Sequence, residues 1–258
     1  DLFLINMLKY KKSVYKRSNL TMKKIKLFQH GSIGTLMTGL FEGSLSINEL
    51  LKHGDMGIGT FDELNGELIV LDGKAYQSRQ DGIFSIASDH QKVAYALVGS
   101  FQEDETITFN NKLSSDKVKE KMLTHLDSRN TFSMFRIDGE FENVHVRTVI
   151  KQEKPYPRLI NATKDQLEFN IDKCKGTIVG FYIPELYLGV SGSGFHLHFI
   201  NDEKNLGGHL LNFTLNYGKI KCQVAENIDL HFPLNDSNFM KNKFDYGNLK
   251  DEFSSSEK

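Results

Sequence analysis

The segment "FHLHFINDEKNLGGHLLNF", residues 195–213, constrains this chain more than any other, because histidines alternate with apolar side chains in it. In a β-strand, alternate side chains share a face, so His196 and His198 point one way while the intervening apolar side chains point into a core. A polar, Gly-ended turn follows, and His209 begins the strand that returns. The pattern predicts a β-hairpin that brings three imidazoles together.

These three imidazoles follow the pattern H-x-H-x10-H. Three histidine ligands leave a coordination position open, which is the arrangement of a catalytic zinc rather than of a closed structural one. Imidazole also suits iron, nickel and copper, so the residues alone leave the metal undecided. The alternative is an exposed histidine face on an ordinary hairpin. His196, His198 and His209 are therefore the predicted metal ligands.

Two other strand-like segments carry side chains that could act beside such a metal. Arg147 lies in "VHVRTV", and a guanidinium on a strand can hold a substrate carboxylate through two hydrogen bonds. Glu67 begins the apolar run "ELIVL", and a carboxylate held near apolar surface can serve as a general acid or base. A solvated arginine and a surface glutamate are the alternatives at these two positions.

The order of strand and helix signals predicts an α+β fold with two lobes, built from mixed or antiparallel sheets with a few short helices. Ser46 and Glu49 form a capping-box pattern for a helix over residues 46–54, and apolar spacing predicts a second helix over 114–126. Asp-Gly pairs predict hairpin turns at Asp72-Gly73 and at Asp138-Gly139.

A proline-containing segment near residue 155 breaks the periodicity and is the candidate linker between domains. We expect an N-terminal mixed-sheet domain over residues 22–150. The C-terminal sheet domain over residues 151–258 carries the metal-binding hairpin and a tail. Residues 1–21 are expected to be a non-native or disordered leader, with Met22 as the natural start.

Charge and hydropathy exclude several classes of protein. Residues 1–26 hold eight basic side chains and one acid, which leaves 24 basic and 32 acidic groups in the remainder. An acidic body without a basic, aromatic-interleaved patch argues against nucleic-acid binding. No apolar run reaches 18 residues, so no membrane span is expected. The two cysteines are too few for a disulfide framework, and the cytoplasm is the expected location.

The chain resembles the alpha-acetolactate decarboxylase family from about residue 27 to about residue 246. The resemblance is carried, in order, by "LFQHGSIGTLMTGLFEG", "GDMGIGTFDELNGELIVLDGKAYQ", "VHVRTV", "PYPRLI", "GTIVGFYIPELYLGVSGSGFHLHFINDEKNLGGHLLNF" and "HFPLN". It implies a zinc enzyme that converts (S)-2-acetolactate to (R)-acetoin and CO2 through a metal-stabilised enediolate, in acetoin and butanediol biosynthesis. It also implies two α/β lobes with mixed sheets and a homodimer.

The resemblance assigns roles to individual residues. It implies that the three hairpin histidines bind zinc, that Glu67 is the strand glutamate of the active site and that Arg147 is its arginine. A glutamate of the C-terminal tail also reaches the metal site in the family. The tail here reads "LKDEFSSSEK", which matches poorly, so Glu257 is the first choice and Glu252 the second.

Two other functions remain as alternatives. A cupin-like metal-dependent isomerase or dioxygenase also uses H-x-H on a strand, although its usual nearby glutamate has no match at the expected spacing here. A non-catalytic binding module stabilised by a metal would need a fourth ligand to close the site, and no cysteine lies near the hairpin.

Overall fold

The computed structural model describes residues 24–102, 106–126, 128–245 and 247–256. Within this part of the chain, thirteen strands pair into one mixed sheet. The strands are β1 Lys24–His30, β2 Leu45–Ser46, β3 Met56–Phe61, β4 Glu67–Leu71, β5 Lys74–Ser78, β6 Phe84–Ile86, β7 Lys92–Gly99, β8 Thr106–Phe109, β9 Leu113–Ser114, β10 Ser133–Thr148, β11 Leu167–Ile183, β12 Gly194–Asn201 and β13 Gly207–His231.

The helices of this part are short. They are α1 Ile33–Met37, α2 Ile47–Leu50, α3 Ser115–His125, α4 Leu159–Ala162, α5 Leu188–Ser191, α6 Ser237–Lys241 and α7 Leu249–Ser256, with 3₁₀ turns at Asp62–Leu64 and Glu185–Tyr187. None of them is long and apolar enough to cross a membrane. A mixed sheet with a few short helices confirms the predicted α+β class. The predicted leader, residues 1–21, lies outside the described residues.

Four long strands of the C-terminal half pair in a closed ring. Strand β10 pairs antiparallel with both β11 and β13, and β12 joins β11 to β13. The division into two lobes at residue 150 stays a prediction, and β10 on one side of that boundary pairs along its length with strands on the other. The ring holds the predicted histidine hairpin and Arg147 on neighbouring strands.

One parallel pairing joins this ring to the N-terminal strands. Strand β1 runs parallel to the end of β13, and on its other side it pairs antiparallel with β7. The sheet then continues through β3 and β4, which carries Glu67, to β5 and β6. This seam between β1 and β13 therefore holds the strand that bears Glu67 in fixed relation to the hairpin.

At the last residue pair of the seam, His30 of β1 contacts His231 of β13. His30 Nδ1 lies 2.8 Å from His231 Nδ1, and His30 Nε2 lies 2.9 Å from Ser44 Oγ. His30 is fully buried. Burial, followed by the neighbouring His231, lowers the pKa of His30 from 6.5 to about 4. His30 is therefore held neutral in the folded protein near pH 7.

Local signals in the sequence predict several elements correctly. The hairpin of β4 and β5 turns at Asp72 and Gly73, whose φ angles of 51° and 72° are left-handed. Ser46 Oγ accepts a hydrogen bond from the Glu49 N–H and so caps α2. The second predicted helix is α3, whose apolar face is buried. In each case the turn or cap chemistry lies within the segment itself.

The hairpin predicted at Asp138-Gly139 is wrong, because β10 passes straight through both residues. Gly139 lies between two other glycines, Gly176 of β11 and Gly218 of β13. A Cβ on Gly139 would lie 2.4 Å from the carbonyl oxygen of Tyr217. The glycine therefore permits a close approach of strands rather than a turn, and the Asp138 carboxylate accepts a cross-strand hydrogen bond from Thr177.

We expect Gly139→Ala to destabilise the protein by about 2 kcal/mol or more, because its Cβ overlaps a backbone oxygen that cannot move alone. Urea unfolding measures this change. The control is Glu140→Ala on the next residue, whose solvent-screened ion pair with Lys173 contributes little to stability. Equal losses in the two variants would contradict the close-approach explanation.

The buried His30 makes stability depend on pH. Its pKa is lower in the folded protein than in the unfolded chain, so its contribution is present above pH 6.5 and is lost as the pH falls towards about 4. Between pH 7 and pH 5, we expect wild type to lose about 2 kcal/mol more unfolding free energy than His30→Gln. Urea titrations at both pH values test this, and parallel pH slopes would refute it.

Candidate metal centre and active site

The hairpin of β12 and β13 brings the three predicted histidines together. His198 pairs directly with His209, and His196 lies two residues before His198 on the same face of β12. The ring centroids are 5.0 to 5.4 Å apart. The alternate residues Leu197 and Phe199 are buried in the core on the opposite side. The predicted arrangement of the imidazoles is thus the one that the chain adopts.

Burial and one hydrogen bond prepare these rings for a metal ion. His198 Nδ1 lies 2.9 Å from the Leu68 carbonyl oxygen, so Nδ1 carries the proton and Nε2 presents its lone pair. Burial, and then His196, holds the pKa of His198 well below its ordinary value. Burial, and then Arg147, does the same to the pKa of His209. Neutral imidazole is the form that binds a metal.

The donor set fits a metal ion. One ring nitrogen from each histidine lies within 4.8 Å of the other two, and all three residues are buried. The Nε2 atom of His198 makes no hydrogen bond with the described residues, and its nearest carboxylate oxygen, on Glu67, is 3.7 Å away. A buried nitrogen lone pair costs free energy unless a hydrogen-bond donor or a metal ion binds it. A metal ion could bind this one together with the ring nitrogens of His196 and His209.

The other predicted residues lie in the same place. Glu67 is the first residue of β4 and is 5% exposed. Arg147 pairs in register with His209 and is 3% exposed. Its Nη1 donates to Gln166 Oε1 and its Nη2 donates to the Ser256 carbonyl oxygen, both at 3.0 Å. Glu67 and Arg147 are therefore neither a surface glutamate nor a solvated arginine.

These groups line one cavity together with apolar side chains. Its polar lining includes Thr60, Glu67, Arg147, Thr163, His196, His209 and Ser256. Its apolar lining comes from Ile33, Leu36, Leu64, Val149, Leu159 and Phe253. Such a site can hold a small polar molecule against the metal ligands while its alkyl groups contact the apolar wall.

The tail glutamates differ in what the structure describes of them. Glu257, the first choice, lies outside the described residues, and Ser256 immediately before it lines the cavity. Glu252, the second choice, accepts hydrogen bonds from Arg158. His145, which shares the "VHVRTV" strand with Arg147, is half-buried and lies 2.7 Å from Glu168. It does not line the cavity.

Sequence reasoning missed several residues of the cavity. Leu64 lies in a 3₁₀ turn where it and Glu63 have left-handed φ angles of 53° and 61°. Two left-handed residues in succession mark a strained backbone, which here positions the Leu64 side chain. No sequence pattern predicts this conformation. Phe253 belongs to α7, within a tail that was predicted to contribute only a glutamate. Its apolar spacing with Leu249 was the available signal.

Comparisons with known proteins agree on one family. A family model described as "Alpha-acetolactate decarboxylase" matches residues 27–246. The alpha-acetolactate decarboxylase of Lactococcus lactis subsp. lactis is 41% identical over 87% of this chain and 94% of its own length. The crystal structure of the Bacillus subtilis strain 168 alpha-acetolactate decarboxylase has a TM-score of 0.87 and 34% identity, over 90% of this chain and 99% of that one.

A Staphylococcus aureus crystal structure matches equally well. It is described as a protein of unknown function similar to alpha-acetolactate decarboxylase, with a TM-score of 0.87 and 41% identity. The match covers 90% of this chain and 99% of that one. These matches cover most of the chain, so the similarity is not confined to the hairpin.

Removing one ring should remove the bound metal. We expect His209→Gln to lower metal affinity more than tenfold, because two buried imidazoles remain where three are needed. Elemental analysis of the purified protein measures this. The control is His145→Gln, a half-buried histidine outside the cavity, which should keep the wild-type metal content. Full metal content in His209→Gln would contradict the assignment of the ligands.

Proposed function

The chain belongs to the alpha-acetolactate decarboxylase family, and we propose that it is a zinc-dependent carboxy-lyase that converts (S)-2-acetolactate to (R)-acetoin and CO2. The observation that carries the proposal is one cavity lined by imidazoles whose nitrogens could hold a metal ion, by a buried arginine and by a buried carboxyl group. The family supplies the substrate, and the cavity supplies groups suited to each part of the reaction.

The reaction breaks one carbon–carbon bond and forms one carbon–hydrogen bond. The electron pair of the bond to the departing carboxylate stays on the substrate and gives an enediolate. A proton then adds to carbon, and acetoin results. Bound by His196, His198 and His209, a zinc ion would supply Lewis-acid stabilisation for the negative charge that develops on the substrate oxygens.

Arg147 is suited to holding the substrate carboxylate before it leaves. Its guanidinium is buried on a rigid strand beside His209, and Gln166 and the Ser256 carbonyl oxygen fix its two terminal nitrogens. A guanidinium held in this way orients a carboxylate at little further entropic cost. It also adds positive potential where the substrate carries its charge.

Glu67 is suited to delivering the proton. It is the first residue of β4, is buried and lines the cavity, as do the apolar residues Leu36 and Leu159. A carboxyl group fixed on one side of a planar enediolate protonates one face only, and this accounts for a single product enantiomer. The apolar wall limits access of water, which would otherwise protonate either face.

The homodimer, the zinc identity and the cytoplasmic location are further parts of this proposal. Exposed apolar side chains occur at Ile83, Ile86, Phe232, Leu234 and Met240, and burying some of them would favour association of two chains. Light scattering of the purified protein would determine the number of chains in the assembly.

Metal content and acetoin formation from racemic 2-acetolactate test the proposal when they are measured together, with and without a chelator. We expect about one zinc ion per chain and acetoin release that the chelator abolishes. Bound metal without acetoin would overturn the proposed reaction and favour a cupin-like isomerase or dioxygenase. The absence of both would overturn the metal site as well.

Glu67→Gln should separate metal binding from turnover. We expect it to retain the metal, because Glu67 is not among the three ligands, and to lose turnover by about 100-fold or more because the amide cannot deliver a proton. The control is Glu226→Gln, whose exposed carboxylate pairs with Lys24 away from the cavity. Wild-type turnover in Glu67→Gln would exclude Glu67 as the proton donor.

A further inference from the structure

The last described helix, α7, covers the cavity. Phe253 is 6% exposed and lines the cavity, and Ser256 at the end of the helix lines it too. The Phe253 ring packs so closely on Gly192 that a Cβ there would come within 2.6 Å of it. Leu249 packs on Gly189 in the same way, at 3.2 Å. The roof of the site is therefore an eight-residue helix.

Such a helix needs tertiary contacts to stay in place, because eight residues are too few for a stable helix in water. The Ser256 carbonyl oxygen is bound by Arg147 Nη2 within the cavity. Outside it, Arg158 donates to Glu252 Oε2 from Nε at 3.1 Å and from Nη2 at 2.8 Å. The third nitrogen of Arg158, Nη1, donates to the Asp245 carbonyl oxygen at 3.1 Å.

Because of the position of Arg158, this ion pair connects α7 to a segment that forms part of the cavity wall. Arg158 immediately precedes α4, whose Leu159 is part of the cavity wall. Its bond to Glu252 therefore ties the roof of the cavity directly to a wall. The side chains are 30% and 21% exposed, so water screens this pair less than it screens a surface pair.

We propose that Arg158 is a positioning residue, whose ion pair with Glu252 latches α7 over the cavity and thereby holds the Ser256 carbonyl oxygen against Arg147. The latch keeps the arginine that binds substrate in one orientation and keeps water out of the site. It also gives Glu252 a role outside the cavity. The effect on turnover rests on the proposed function, whereas the effect on α7 does not.

A second ion pair on the same helix provides the control. Lys250 pairs with Glu185, and both side chains are about 70% exposed (70% and 71%). Such a pair contributes little. Glu252→Ala and Lys250→Ala each remove one charged partner and each add the best helix-forming residue. Arg158→Gln breaks the latch without any change in the sequence of α7.

The exchange rate of the α7 amide hydrogens, followed by mass spectrometry, measures how firmly the Arg158–Glu252 pair holds α7. We expect roughly tenfold faster exchange in Glu252→Ala and in Arg158→Gln, as for loss of a charge-assisted hydrogen bond, and wild-type exchange in Lys250→Ala. The reversed pair, Arg158→Glu with Glu252→Arg, should restore part of the protection. Wild-type exchange in both latch variants would overturn the proposal.

Kinetics with 2-acetolactate measure how loss of the Arg158–Glu252 pair affects turnover. We expect kcat/KM to fall roughly tenfold in the latch variants, with metal content unchanged and with partial recovery in the reversed pair. Faster exchange of α7 with unchanged kcat/KM would overturn the positioning role. If wild type itself forms no acetoin, the proposed reaction fails, while the exchange experiment still decides whether the latch exists.

Discussion

The hydrogen bond between His198 Nδ1 and the Leu68 carbonyl oxygen is the contact on which the rest of the site depends. It joins β12 of the ring to β4 of the N-terminal strands, and it determines which nitrogen of His198 presents a lone pair. Glu67 is the residue before Leu68, so the same contact helps to place the Glu67 carboxylate 3.7 Å from His198 Nε2. The candidate metal ligand and the proposed proton donor thus share one point of attachment.

The strand pairings place the remaining groups relative to that point. His209 has His198 on one side and Arg147 on the other, so a guanidinium and two imidazoles lie side by side across three strands. Burial is the main cause that lowers the pKa of His198 and of His209, and the charge of the Arg147 guanidinium adds to it, so both rings are kept neutral. The sheet is therefore both the scaffold and part of the electrostatics of the cavity.

Sequence reasoning succeeded where the relevant contacts are local. The hairpin histidines, the turn at Asp72 and Gly73 and the cap of α2 all depend on residues within a few positions of one another. It failed at Gly139, because a glycine in a turn and a glycine beneath a crossing backbone have the same sequence signature. Arg158 and Glu252 are 94 positions apart, and no local pattern connects them. Glu67 and Arg147 were singled out from their own strand segments, which left a surface glutamate and a solvated arginine open, and the family resemblance then assigned them to the active site.

The groups of the site differ in how far apart they lie along the chain. Some of their contacts are therefore local in sequence, and others are long-range. The three ligands lie in one short hairpin, and closing a short loop costs little chain entropy. His198 and Leu68 are 130 positions apart, on strands that only the long-range pairing of the sheet brings together. The three imidazoles are therefore neighbours along the chain, but the bond that orients His198 is not local. Both the lone pair offered to a metal and the position of Glu67 belong to the finished topology.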